Sequence, residues 1–112
     1  MTLDLRRLRY VHAIAQSGSL TRAADMLGGA QPALSHHLSE LEKYFGVPLF
    51  HRTPRGMVPT DVGHILAGQA GSILRSVEDA EAAVRNGVAT LAGSVSLGLL
   101  NTVALSLAVP LL

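Results

Sequence analysis

The sequence predicts a mainly α-helical chain with one small β-hairpin, one long helix and a short α/β segment at its end. Three observations carry that expectation. Two short helical patterns meet at Gly28-Gly29, a Pro54-Arg55-Gly56 turn separates two short extended runs, and from Leu66 to Leu91 apolar or small residues recur at alternating spacings of four and three.

Asp4 is placed to cap a first helix in which Leu5, Leu8, Val11 and Ile14 or Ala15 recur at helical spacing, until Ser17-Gly18 stops it. Ser19 caps a second, short helix whose inward positions, Leu20, Ala23, Ala24 and Leu27, are mostly small, so another helix can cross it closely. A third helix is expected over Gln31–Phe45, with Pro32 in its first turn, where the missing N–H costs nothing. Leu34, Leu38, Leu41 and Phe45 form one narrow apolar stripe, and the opposite face carries Pro32, Ser35, His36, Ser39 and Lys43. Short hydrogen-bonding side chains on a protruding helix suit base edges and phosphates in a DNA major groove, which just admits a helix. From this helix alone an ordinary solvated face is an equal reading.

After Gly46 the run Phe50-His51-Arg52-Thr53, the Pro-x-Gly turn, and Met57-Val58-Pro59-Thr60 read as a hairpin with Arg52 and Arg55 at or near its tip. A hairpin that carries guanidinium groups beside such a helix is the wing of a winged helix-turn-helix. Arginine there reaches phosphate or a narrow minor groove.

Thr60 caps a long helix expected to run to about Leu91. Its seam of Leu66, Ala70, Ile73, Val77, Ala80, Val84, Gly87 and Leu91 spans more than three heptads, the pattern of a helix that buries one stripe against a partner helix. The first turns of this helix are expected to pack on their own winged domain. Asn86 to Leu112 carries no charged residue. Val95, Leu97 and Leu99 alternate with small polar residues as in a strand, and Asn101 or Thr102 is placed to cap a second apolar segment, Val103 to Leu112. Ser96, Gly98, Asn101, Thr102, Ser106 and Pro110 interrupt this stretch too often for a membrane span.

Charge divides with the architecture. Residues 1–60 hold seven Lys or Arg against four acids, a surplus of +3, whereas residues 61–112 hold two against four, a deficit of −2. The asymmetry points mildly to a polyanionic partner for the first part. The absence of cysteine and the charged N-terminus (Asp4, Arg6, Arg7, Arg9) argue against a disulfide framework and a secretory signal, and favour a cytoplasmic protein. No cofactor is expected and an enzyme lacks its parts: there are no paired carboxylates in a buried setting and no glycine-rich phosphate loop after a strand. His36, His37 and His51 do not suggest a metal site, because adjacent histidines on a helix point about 100° apart, and His37 reads as polar surface. The rival class is a helical module whose partner is a protein, which binding at two salt concentrations would separate from a DNA reader.

The strings GSLTRAADML, AQPALSHHLSELEKYFGVPLF and HRTPRGMVPTDVG, in that order and spacing, resemble the N-terminal region of LysR-type transcriptional regulators. The AQPALS run, the RTPRG wing and the GSVSLGL…VPLL ending make it most similar to the nitrogen assimilation control subgroup. The resemblance covers essentially the whole chain. It implies a winged helix-turn-helix over 1–60, a linker and dimerisation helix over 61–92 that pairs antiparallel between protomers, and, over 93–112, the start of an effector domain of periplasmic-binding-protein type. It implies double-stranded promoter DNA as partner, a homodimer through the linker helix, with dimer and tetramer both open for the intact protein, and a small-molecule effector if the C-terminal domain is present. By position, the implied DNA contacts fall on Gln31, Pro32, Ser35 and His36, on Thr21 and Arg22, and on Arg52; the exposed-face and wing arguments add Ser39 and Arg55. Two departures stand out. Ala30 replaces a frequent serine, so a side-chain cap is lost, and His36 replaces a frequent arginine, so the bidentate fork that reads guanine is absent.

Overall fold

The computed structural model describes residues 1–95. Its elements are α1 (Leu5–Ser17), α2 (Leu20–Leu27), α3 (Gln31–Phe45), β1 (Phe50–Thr53), β2 (Gly56–Pro59) and α4 (Asp61–Val95). Residues up to Arg75 form one compact unit, and a second begins at Ser76.

Each helix boundary has a local cause. The Asp4 carboxylate accepts from the Arg7 backbone N–H (2.9 Å) and Ser19 Oγ from that of Arg22 (3.2 Å), so two of the donors that a helix start leaves orphaned are satisfied. The ends of α1, α2 and α3 are closed by Gly18, Gly28 and Gly46, each in the left-handed conformation that glycine adopts at no steric cost. At Ala30 no side chain caps α3, as the sequence implied.

The three short helices enclose a core in which Val11, Ile14, Leu41 and Leu49 are wholly buried, with Leu20, Ala23, Ala24, Leu34 and Leu38 around them. The wing is a two-stranded antiparallel hairpin in which Arg52 pairs with Met57 and Thr53 with Gly56. Phe50 and Met57 turn inward and complete the core. Phe45, expected at the end of the apolar stripe of α3, is instead 41% exposed and stacks edge-on with Tyr44 at 5.1 Å. The chain reverses at Gly46, and Leu49 and Phe50 are buried in the core instead. They are held by the Glu42 carboxylate, which accepts from the backbone N–H groups of Leu49 (2.7 Å) and Phe50 (3.4 Å).

Thr60 fastens the start of α4. Its hydroxyl donates to Pro48 O (2.8 Å) and accepts from Gly63 N–H (3.0 Å), and its own N–H donates to Leu49 O (2.9 Å). Leu66 and Ala67 pack against the core and Ala70 is fully buried within the chain. Ala70 therefore leaves the expected dimerisation seam, because its own unit already covers it, and Leu66 is shared with the core. The helix continues to Val95 rather than ending near Leu91. No proline or capping side chain intervenes, and Gly93 alone costs a helix only about 1 kcal/mol. Val95, expected to open a strand, is thus helical; the remainder of that strand and the segment Val103 to Leu112 lie outside the described residues.

Two glycines of α4 give substitutions of opposite sign. A Cβ on Gly63 would run into the Leu49 carbonyl, whereas one on Gly68 meets nothing within 4 Å. Gly68→Ala should stabilise the chain by about 1 kcal/mol through helix propensity. Gly63→Ala should destabilise it by about 1 to 3 kcal/mol, because the backbone contact must open. Urea unfolding of both variants checks this, and two shifts in the same direction would contradict the contact.

Candidate nucleic-acid interface

α3 lies between two neighbours that fix which of its faces is free. On one flank the Ser35 hydroxyl accepts from the Arg52 guanidinium of the wing at 3.1 Å. On the other, the His37 ring lies 5.0 Å from that of Tyr10 on α1. Ser35 and His37 are two residues apart, about 200° around a helix, so the face left between the wing and α1 is centred on His36. Pro32, His36, Ser39 and Lys43 share that face and are all exposed.

The residues expected to meet DNA fall into three places. A surface groove lined by Ser19, Leu20, Thr21, Gln31, Arg52, Thr53, Gly56 and Met57 brings Thr21 of α2, Gln31 of α3 and Arg52 of β1 together. Pro32, His36 and Ser39 continue from it along α3, and Ser35 is half-buried beneath Arg52. Arg22 is exposed on α2 beside the groove without lining it. Arg55 stands in the wing turn, where its N–H donates to Thr53 Oγ1 at 3.2 Å and Thr53 in turn donates to Gly56 O at 3.0 Å. That turn is therefore braced at its base, with the Arg55 side chain exposed.

The position of Arg52 follows from packing behind it. Its strand partner Met57 donates from its N–H to Gly18 O at 2.8 Å, and a Cβ on Gly56 would collide with the same carbonyl. The wing is thereby pinned to the turn between α1 and α2. Glu42, which had no part in the sequence-based expectation, ties the other end of the hairpin together with Thr60, expected only as the cap of the long helix. Glycine in the turn was legible, but a carbonyl at Gly18, with α2, α3 and β1 in between, gives no sequence signal.

His36 is exposed (side chain 73%), with Nε2 at 3.1 Å from the Glu40 carboxylate. His37, read as polar surface, is not: its side chain is 18% exposed and packs over Tyr10, whose hydroxyl accepts from Arg6 Nε at 2.8 Å. The correction arises because 100° of helix rotation carries His37 away from the free face and under α1.

Residues 5–64 match the family described as bacterial regulatory helix-turn-helix protein, lysR family, and the chain belongs to it. It is 47% identical over 111 residues to the nitrogen assimilation regulatory protein nac of Klebsiella aerogenes, an alignment covering 98% of this chain and 36% of that protein. The chain thus spans about a third of the length of that curated relative. Among solved structures it resembles the BenM_DBD/benA site 1 DNA complex, with a TM-score of 0.69 and 34% identity over 75% of this chain and 94% of that one. It also resembles the CbnR_DBD–DNA complex, with a TM-score of 0.67 and 30% identity over 77% of this chain and 99% of that one. The mainly helical fold with a two-stranded wing and a long following helix agrees with these neighbours.

The burial of His37 has a consequence for stability. Desolvation holds its imidazole below the ordinary value of 6.5, the positive charges of Arg6 and Arg7 and the nearby His36 act in the same direction, and the Glu40 carboxylate opposes them. With the folded-state pKa depressed, the unfolded chain takes up the proton first. The contribution of the neutral ring is then complete above the unfolded value and is lost as pH falls below it. The wild-type chain should lose stability to urea between pH 7.5 and 5.5, and His37→Gln should lose less over the same interval. Equal losses would show that this ring does not set the dependence.

Proposed function

We propose that this chain is the DNA-reading and dimerising part of a transcriptional regulator, with α3 entering the major groove and the wing meeting the backbone or minor groove. The observation that carries the reading is the groove that gathers Thr21, Gln31 and Arg52, with Arg52 tied to Ser35 of the helix that would be read against DNA. The BenM_DBD and CbnR_DBD neighbours are complexes with DNA, which supports the same assignment here. Gln31, Pro32, Ser35, His36 and Ser39 would face bases or nearby phosphates, Thr21 and Arg22 would position α2 on the backbone, and Arg52 and Arg55 would serve the wing. An imidazole at His36 hydrogen-bonds one edge atom where an arginine would fork onto two.

The protein would act in the cytoplasm as a homodimer through α4, and in an intact protein with an effector domain it would form a dimer or a tetramer and respond to a small molecule. No helix among the described residues is long and apolar enough to cross a membrane. Support for pairing through α4 comes from its exposed apolar side chains: Ile73, Val84, Val88 and Leu91 are uncovered in the single chain, Val84 by 66%. With Val77, Ala80 and Gly87 they leave a stripe that a second copy would cover.

Three measurements test this reading. Affinity for a promoter fragment, followed by fluorescence anisotropy, should fall with salt at a log–log slope of about −0.9 per phosphate contacted; a slope near zero would favour a protein partner instead. Gln31→Ala should flatten preference at one base-pair position in a binding-site selection, since a glutamine amide pairing with adenine discriminates by about 1 to 3 kcal/mol. Unchanged specificity would remove Gln31 from the reading face. Val77→Asp would bury an unpaired charge at the dimer seam and should make the chain monomeric at micromolar concentration in sedimentation, with operator affinity lost in parallel. A dimeric Val77→Asp chain with normal binding would displace the seam.

A further inference from the structure

We infer that the N-terminal edge of α1, through Arg6 held by Tyr10, is a second backbone-contacting surface for DNA, on the flank of α3 opposite the wing. The inference rests on the reading of α3 as the DNA-facing helix.

A major groove is bounded by two phosphate rails, and a helix lying in it has one on each side. In this chain the wing arginine occupies only one flank, through the Arg52–Ser35 hydrogen bond. The opposite flank is built as a chain of contacts leading outward from the free face. His36 lies on that face, its ring is 5.9 Å from His37, His37 is 5.0 Å from Tyr10, and the Tyr10 hydroxyl accepts from Arg6 Nε at 2.8 Å. The Arg6 guanidinium carbon also lies 6.0 Å from the centre of the Tyr10 ring.

Arg6 has the properties a backbone contact requires. It is exposed, its hydrogen bond to the tyrosine hydroxyl engages Nε and leaves both terminal nitrogens for an anion, and the Asp4 carboxylate, which also acts on its charge, is itself bonded to Arg7. Its neighbour Arg7 does not compete for that role, because it pairs with Asp4 at 2.6 Å in the cap of α1. Tyr10, half-buried against His37, gives the long arginine side chain a fixed seat, so less rotamer freedom is lost when a phosphate is met. Tyr10 is then a positioning residue and Arg6 the contact.

The experiment measures the salt dependence of promoter binding by anisotropy for the wild-type chain, Arg6→Gln, Tyr10→Phe, Arg52→Gln and Arg75→Gln. Arg75 is the control for loss of one positive charge. It lies in a groove with His12 and His64, and His12 is two residues, about 200°, from Tyr10 on α1, so it sits on the far side of that helix. Arg6→Gln should lower the magnitude of the log–log slope by about 0.9 for each protomer bound, the value of one phosphate apiece, and weaken all DNA sequences alike. Tyr10→Phe should fall between Arg6→Gln and wild type, and Arg75→Gln should match wild type. An Arg6→Gln slope equal to wild type, while Arg52→Gln is reduced, would overturn the second surface and leave the DNA reading intact. A loss confined to one operator base pair would overturn the phosphate assignment, and a Tyr10→Phe chain identical to wild type would overturn the role of the tyrosine. A wild-type slope near zero would instead remove the DNA reading itself.

Discussion

The contact on which the rest of this unit depends is between the wing and the turn that ends α1. Gly18 takes up a left-handed conformation and turns its carbonyl toward β2, where Met57 N–H donates to it at 2.8 Å and the missing side chain of Gly56 lets the strands approach. Neither glycine could carry a side chain without cost. Gly18 would be strained in its backbone, and Gly56 has both a positive φ of 120° and no room for a Cβ. A two-stranded hairpin is at best marginally stable alone, so without this anchor and the burial of Phe50 and Met57 the wing would not hold one position. Arg52 sits directly across from Met57 in the register, so the same contact decides where the guanidinium stands relative to Ser35, Gln31 and Thr21.

A second set of bonds ties the other end of the hairpin. Glu42 receives the N–H groups of Leu49 and Phe50, and Thr60 holds Pro48, Leu49 and the first turn of α4. These backbone groups lie where α3, β1 and α4 converge, and leaving a buried one unpaired costs about 1 to 3 kcal/mol each. The two side chains thus convert a loop of irregular backbone into a joint of defined geometry. Because Gly63 must approach the Leu49 carbonyl to complete it, the start of α4 is set by the wing and not by helix propensity alone.

How much of this was legible follows from the range over which each cause acts. Asp4, Ser19, Gly18, Gly28 and Gly46 act on residues within one turn of themselves, and the element boundaries they set were readable to within a residue or so. The inward face of α3 was readable from its period as far as Leu41. Phe45 was not, because its exposure depends on a chain reversal that brings Leu49 and Phe50 into the core instead. The grouping of Thr21, Gln31 and Arg52 was suggested by family resemblance, whereas the Arg52–Ser35 bond that supports it spans seventeen residues and leaves no periodic trace. Ala70 shows a related limit. A heptad pattern records which side chains avoid water, and it does not record whether the cover is a partner helix or the chain's own compact unit.

The distribution of side-chain length across α3 completes the argument. Over its first turns the free face carries compact groups (Pro32, His36, Ser39), with Lys43 further along it, while two arginines, Arg52 on one side and Arg6 on the other, stand at the flanks. In the proposed reading, short groups at the centre would let the helix approach base edges, and arginines at the margins would reach a backbone several ångströms further out. Glu40 lies between these zones, with the His36 ring at 3.1 Å and that of His37 at 3.7 Å. A carboxylate so placed would repel phosphate if left uncovered, and the exposed His36 ring, within hydrogen-bond reach of it, is the group positioned to cover it. An arginine at position 36 would set a bidentate fork against that carboxylate, whereas the histidine ring offers it a single hydrogen-bonding atom.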